Sequence, residues 1–434
     1  MTRQILVLLY SVIVLAACGG TAKLPVSAGT GPQPLLPETR NALVPLVNIA
    51  DAKGWSPGAT PVAASGLTVN AFAQGLDHPR WLYVLPNGDV LVAETNAQPK
   101  EVSGLRARIQ KKVMTRAGAA VPSADRITLL RDEDRDGVAE LKTVLLADLT
   151  SPFGMALVGG RLYVANTDGV VSVPYKSGVT EISALPVPLA DLPGGPINHH
   201  WTKSLVASPD GKKLYAGIGS NSDHGENGMD NEVRRAAILE IDIGSGDTRV
   251  FAHGLRNPVG MAWEPETGVL WTAVNERDEL GGDLVPDYMT SVIDGGFYGW
   301  PYSYYGDHLD PRIDDQRPDL VASARVPDYA LGPHTASLGL TFAAGRQLGS
   351  DYGDGAFVGQ HGSWNRKPRS GYKVIFVPFE KGKPAGMPRD VLTGFLDAKG
   401  DAQGRPVGVV IDKSGNLLVA DDVGNTVWRV SRDR

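Results

Sequence analysis

"DKSGNLLVADDVGNTVWRV", residues 412–430, is the stretch that decides the fold. Ser414-Gly415 makes a polar hairpin turn, and "LLVAD" follows it with the period-two alternation of a strand that buries one face. The same unit recurs upstream as "LPNGDVLVAET" (85–95), "LVGGRLYVANTDGVVSV" (157–173) and "SPDGKKLYAGIGS" (208–220). It returns again as "EPETGVLWTAVNE" (264–276) and "YGDGAFVGQHGSW" (352–364). Six turn-and-strand repeats with little helical patterning between them predict an all-β fold, a six-bladed β-propeller with four-stranded antiparallel blades. Five or seven blades remain open at this level. The spacing exceeds the ~40–45 residues of a minimal blade, so long inserted loops are expected. A propeller gathers such loops at its two faces, where residues far apart in sequence can converge.

The bulk composition agrees. Gly at 52 and Pro at 31 of 434 residues favour many tight turns. Net charge is −6 with no long basic run, which argues against a nucleic-acid partner. Upstream of the repeats, Arg3 precedes "ILVLLYSVIVLAA" (5–17), an apolar run of signal-peptide length. Small residues then lead to Cys18, the chain's single cysteine, in a pattern similar to the lipobox of bacterial lipoproteins. The expectation is a leader over 1–17, acylation at Cys18, a Pro/Gly/Ala-rich tether over 18–66 and one propeller domain over 67–434. That would place the protein in the bacterial cell envelope, lipid-anchored on the periplasmic side. Gly19 favours the outer membrane by the usual sorting pattern. Without Cys18 the mature chain has no thiol for a disulfide.

Several loops could carry chemistry. His199 and His200 precede the strand "SLVASP"; a neutral imidazole there could accept a proton, or serve only as a hydrogen-bonded loop residue. In "HGLRNPVGMAW" (253–263), Arg256 and Asn257 stand before Pro258, where a guanidinium could hold an oxyanion or carboxylate, or merely bridge blades. The loop of Glu276, Asp278, Glu279, Asp283 and Asp287 offers hard oxygens suited to calcium, although solvated acidic loops are common. "GGFYGWPY" (295–302) adds aromatic surface beside it. His361, Trp364, Arg366, Lys367 and Arg369 form a basic, aromatic loop suited to an anionic aromatic ligand, and Arg405 stands before the last repeat. Separately, Asp132, Asp134 and Asp136 with Gly137 open an EF-hand-like loop with Glu140 in the ninth place. Thr143 holds the twelfth place, where a bidentate Glu should be, so the choice is a structural calcium site or a solvated turn. There is no P-loop, no H-E-x-x-H and no C-x-x-C.

Taken in order, "NHHWTKSLVASPDGKKLYAGIGSN", "GLRNPVGMAW", "DGGFYGWPY" and "GRPVGVVIDKSGNLLVADDVGNTVWRV" resemble the sorbosone dehydrogenase family, relatives of the soluble quinoprotein glucose dehydrogenases. The resemblance runs from about residue 67 to the C-terminus. It implies a six-bladed propeller holding pyrroloquinoline quinone, PQQ, with calcium on the channel face. It further implies that His200 takes the sugar hydroxyl proton, with His199 where the glucose enzymes carry an acid, and that Arg256 binds and polarises the quinone with Asn257 beside it in the cofactor site. Arg405 matches a residue that neutralises the cofactor's carboxylates. The backbone carbonyls of Glu276 and Arg277 would correspond to the family's calcium ligands. Two departures stand out. The second family arginine is replaced by Val407, and the cofactor-binding lysine has three candidates in Arg366, Lys367 and Arg369.

The expected activity is therefore PQQ-dependent oxidation of an aldose or sugar aldehyde to a lactone or acid, with electrons passing to a periplasmic or membrane acceptor. Two other readings compete with it: a non-catalytic cell-surface propeller binding glycan or protein, and a calcium-dependent lactonase.

Overall fold

The computed structural model describes residues 21–40, 46–99 and 112–433. The expected leader and Cys18 lie outside the described residues. Each of the six repeats read from the sequence is the hairpin between the first two strands of a blade. Blade 1 comprises Pro79–Val84, Val90–Glu94, Arg126–Arg131 and Leu141–Leu146. Blade 2 comprises Met155–Val158, Arg161–Ala165, Gly169–Pro174 and Val187–Asp191, and blade 3 Lys203–Ala207, Lys213–Ile218, Ala237–Asp242 and Thr248–His253. Blade 4 is Pro258–Trp263, Leu270–Val274, Pro286–Ser291 and Tyr329–Pro333. Blade 5 is Ser337–Phe342, Gly355–Gln360, Lys373–Glu380 and Arg389–Thr393.

Blade 6 closes the ring. Its first three strands, Pro406–Ile411, Leu417–Asp421 and Thr426–Arg432, come from the C-terminus, and its outer strand, Leu67–Gln74, comes from the other end of the chain. Pairing of the two ends removes the free edge that an open sheet would leave.

The first strand of each blade lines the axis, and neighbouring inner strands pack closely around the ring. Glycine makes that approach possible. A Cβ on Gly260 would stand 2.6 Å from the Leu338 carbonyl oxygen of the next blade, and one on Gly408 2.8 Å from that of Arg80. Gly339 fills the same role between blades 5 and 6. In blades 1, 4, 5 and 6 the register of the inner strand shifts at its first residues, so a bulge re-aims the chain where it leaves the loop face.

Where a free tether was expected over 18–66, the described part is laid on the propeller. Thr30–Gly31 pairs with the outer strand of blade 4, and Val62–Ala63 with that of blade 5. Trp55 packs edge-on against Phe395 and Trp428 and donates to the Asp421 carboxylate at 2.7 Å. Richness in Pro, Gly and Ala suggested a tether, but this segment has backbone partners, which composition does not reveal.

Candidate active site

The loops entering the inner strands and those joining second to third strands share one face of the ring, and nearly all the candidate residues lie there. His200 sits just before the inner strand of blade 3, half-buried. Its Nδ1 lies 2.7 Å from the backbone oxygen of Ser220, on the loop after the second strand of the same blade. A carbonyl only accepts, so Nδ1 carries the hydrogen and Nε2 is left as the acceptor. Nε2 makes no hydrogen bond among the described residues. Burial, then the charge of Arg256, holds the imidazole well below its ordinary pKa, so it is neutral at physiological pH.

Gly219 brings the neighbouring blade in. A Cβ there would collide with both the His200 Cβ and the side-chain oxygen of Asn257. Arg256 and Asn257, which lead into blade 4, therefore flank the same spot as His200. The buried Asn257 Oδ1 has no hydrogen-bond partner among the described residues. Arg256 is itself held on every side. Nη2 contacts Asp223 Oδ1 at 2.9 Å, Nε the Asp223 carbonyl at 3.2 Å, and Nη1 the carbonyls of Glu276 at 2.8 Å and Asn275 at 3.2 Å. Burial works to raise the Asp223 carboxyl, but Arg256, His224 and Arg312 together keep it below the usual carboxylate range.

Across the axis, blades 1, 5 and 6 converge on Asp422. Its Oδ2 meets Arg80 Nη1 at 2.7 Å and His361 Nε2 at 2.8 Å, with His78 Nε2 at 3.7 Å. Burial opposes its ionisation, yet the two histidines and Arg80 hold it low. Arg405 packs beside this group over the Tyr372 ring, 4.9 Å from its centroid, and donates one bond of 3.3 Å to the Ala50 carbonyl. The Nε atoms of Arg80 and Arg405 are buried without hydrogen-bond partners among the described residues. The two sectors meet at Trp201, adjacent to His200, whose indole lies 5.9 Å from the Arg80 guanidinium. The sequence reading missed Arg80, His78, Asp422 and Asp223. "DHPRW" (77–81) carries the same x-Pro start to an inner strand as "RNPVG" and "GRPVG", a signal that could have flagged Arg80.

Other candidates serve the scaffold. Arg366 is fully buried and donates to the carbonyls of Gly282, Pro368 and Leu24, and Arg369 to those of Asn48 and Ile49. Lys367 is exposed, and its carbonyl accepts from Ala22 at 2.8 Å. Of the three candidates for the family lysine, Arg366 and Arg369 are engaged by the N-terminal segment, and Lys367 is exposed. Trp364, 37% exposed, and Asn365 both donate to Asp278, which also pairs with His334 at 3.1 Å.

The acidic loop is internally neutralised rather than open. Arg277 is completely buried, pairing with Glu276 at 3.0 Å and Asp310 at 3.1 Å. Asp283 accepts from the backbone of Lys23 and Leu24, and Asp287 from that of Glu276 and Ser337. A calcium ion on the Glu276 and Arg277 carbonyls, as the resemblance implies, would share the Glu276 oxygen with Arg256 Nη1. That oxygen faces the Arg256 guanidinium, and a divalent cation sharing it would stand against a fixed positive charge. Asp132, Asp134, Asp136 and Glu140 do gather, with one oxygen from each within 4.8 Å of the others, on the rim of blade 1. Thr143 already lies in a strand paired with Leu129, so the loop closes before a twelfth ligand could join.

Comparison with known proteins agrees with the resemblance read from the motifs. The glucose/sorbosone dehydrogenase family profile matches residues 164–361, and a profile described as TrAA12-like matches 312–433. An uncharacterized protein of Borreliella burgdorferi is 27% identical over 294 residues, 65% of this chain and 76% of that protein. A pyrroloquinoline quinone-dependent pyranose dehydrogenase of Coprinopsis cinerea is 33% identical over 227 residues, 48% of this chain. The chain spans only 28% of that enzyme's length. The holo PQQ domain of a Coprinopsis cinerea pyranose dehydrogenase superposes with a TM-score of 0.70 at 22% identity, covering 89% of this chain and all of that domain.

Proposed function

We propose that this chain is a PQQ-dependent dehydrogenase of sugars or sugar aldehydes, with His200 as the base. The observation that carries the reading is the fixed, neutral imidazole of His200, its Nε2 unengaged, beside Arg256 and Asn257. The donor set suits a planar polycarboxylate. Arg405 and Arg80 offer buried guanidinium Nε donors without partners among the described residues. These residues, with His361 and Arg256, are the ones that would hold the quinone, which when bound supplies a two-electron acceptor for hydride.

The chain's own contribution follows from its geometry. The hydroxyl proton of the substrate passes to His200 Nε2 while Nδ1 keeps its hydrogen on the Ser220 oxygen. The imidazolium so formed stands near Arg256, which disfavours it and drives the proton onward. Arg256 is itself fixed by Asp223 and the 275–276 carbonyls, so it needs no reorganisation to stabilise negative charge developing nearby. No step is assigned to calcium.

The substrate class rests on the relatives, and the lipid-anchored envelope location on the sequence pattern alone. An absorbance titration of the purified protein with PQQ, followed by dye reduction with aldoses and sorbosone, tests the proposal. Saturable quinone binding and sugar-dependent turnover are expected. No quinone binding, or acid release from a lactone without any electron acceptor, would sink it.

A further inference from the structure

Two buried cations beneath the His200 loop have no place in the scheme above. Lys203, on the inner strand of blade 3, is completely buried, and Arg235 is 5% exposed. Among the described residues neither forms an ion pair, with Glu232 acting on Arg235 and Asp168 on Lys203 only from farther off, and both are held by carbonyl and amide oxygens. Lys203 Nζ reaches Trp201 O at 3.1 Å, Asn198 Oδ1 at 3.3 Å and His200 O at 3.4 Å. Arg235 Nη2 reaches the same Asn198 Oδ1 at 2.6 Å, with Pro193 O at 2.9 Å and Gly194 O at 3.0 Å. Its Nη1 lies 2.7 Å from Gly219 O and 3.5 Å from His200 O.

Burying two positive charges side by side without an anion in contact is costly, and a core built for stability alone would avoid it. Burial, the larger cause, lowers both pKa values, Arg235 to about 10. What the pair achieves is spatial. Arg235 grips Gly219, which precedes the Ser220 acceptor, and it grips the 193–198 segment, which leads into the histidine. It therefore bridges both partners of the bond that fixes the His200 ring. Lys203 holds Asn198, His200 and Trp201 from the strand side.

We infer that Arg235, backed by Lys203, is a positioning residue for the His200 base, holding the loops so that Nδ1 meets the Ser220 carbonyl and Nε2 is presented to the opening. The inference rests on the reading of His200 as the base, but its structural content is measurable without any cofactor. The charged and titratable groups around the ring are His199 beside it, Arg256 from blade 4 and Arg235 below, with Lys203 on its carbonyl. Asp223 is turned toward Arg256.

The test is nitrogen NMR of histidine-labelled protein without quinone, on Arg235→Met and Asn198→Gly. The second variant removes the shared acceptor and suits the positive φ of 35° at Asn198. The wild type should show the Nδ1–H tautomer of His200 and a titration midpoint below that of free imidazole. Both variants should show mixed tautomers and a raised midpoint, and Arg235→Lys should restore part of the wild-type pattern. With quinone, kcat should fall roughly tenfold or more, its acid limb moving up with the midpoint, while KM and quinone affinity change less than about threefold. A folded Arg235→Met or Asn198→Gly protein with the wild-type tautomer and midpoint overturns the inference. If Arg235→Met does not fold, Asn198→Gly decides. A wild type that shows the expected tautomer but binds no quinone removes the proposed function and leaves the positioning result standing.

Discussion

One hydrogen bond, His200 Nδ1 to Ser220 O at 2.7 Å, turns an ordinary loop histidine into a directed acceptor. His200→Ala should lower kcat by roughly 10²–10⁴-fold, the usual worth of a positioned base, with quinone affinity nearly unchanged. Stopped-flow dye reduction and the absorbance titration separate the two effects, and full turnover in the variant would remove the assigned role. Because the neutral ring is the working form and its pKa is lowered, the acid limb of kcat/KM should lie below pH 6.5. Arg405 makes the complementary case. Among the described residues its buried Nε has no hydrogen-bond partner, and its Nη2 donates to the Ala50 carbonyl at 3.3 Å. Arg405→Met should weaken quinone binding by roughly 10–100-fold, the scale of a charge-assisted hydrogen bond. An unaltered titration curve would show that the guanidinium does not reach the ligand.

Among the elements, the inner strands set the size of the opening, and their glycines set how closely they pack. At Gly260 there is no room for a methyl group, because the Leu338 carbonyl and the Leu340 side chain and nitrogen each lie 2.6 Å from where it would go. Gly260→Ala should therefore cost about 1–3 kcal/mol, as overpacking in a dense core does. Thermal melting would register the cost as a lower midpoint, and an unchanged midpoint would mean that the blades are free to spread. Gly260 lies only a few residues beyond Arg256, so the same variant should also loosen the site and lower quinone affinity. The N-terminal segment acts as a further element: it covers edges of blades 4 and 5 and occupies Arg366 and Arg369, the residues that composition had offered to a ligand.

For the whole molecule, ring closure by Leu67–Gln74 ties the two ends of the propeller into one sheet, so unfolding should be shared among blades rather than peeled from one end. The pH dependence of stability is likewise a sum over the molecule. His78, lowered by burial to about 4, and the lowered His200 and His361 bind fewer protons folded than unfolded, so their contribution is lost as pH falls from 6.5 toward 4. Burial raises Asp287 and Asp421 to about 6, and the Asp278 partner outweighs burial to raise His334. Asp287 and Asp421 gain on acidification through the same window, whereas the gain from His334 is already complete by about pH 6.5. Below the ordinary carboxylate value of 3.8 only losses remain, because Asp223 and Asp422 are held low by their cationic partners. The melting temperature should fall only gently between about pH 6.5 and 4, where three histidine losses face two aspartate gains, and drop steeply below that. A steep fall already between pH 6 and 5 would contradict this balance.

The sequence by itself determined the propeller and its six hairpins. Period-two burial around turns such as Ser414-Gly415 is a local signal, and each repeat carries it independently. It also marked His200, Arg256, Asn257, His361 and Arg405, because each stands at a recognisable position beside a strand. Only the tertiary structure decided the partners. Arg80 and Arg405, 325 positions apart in the chain, converge on one sector through ring closure, Arg366 and Arg369 turn to the N-terminal segment, and Arg256 covers the Glu276 carbonyl. A guanidinium carries the same charge in any loop, whereas which oxygens meet it depends on how six blades curve round a common axis, and no short stretch of sequence encodes that curvature.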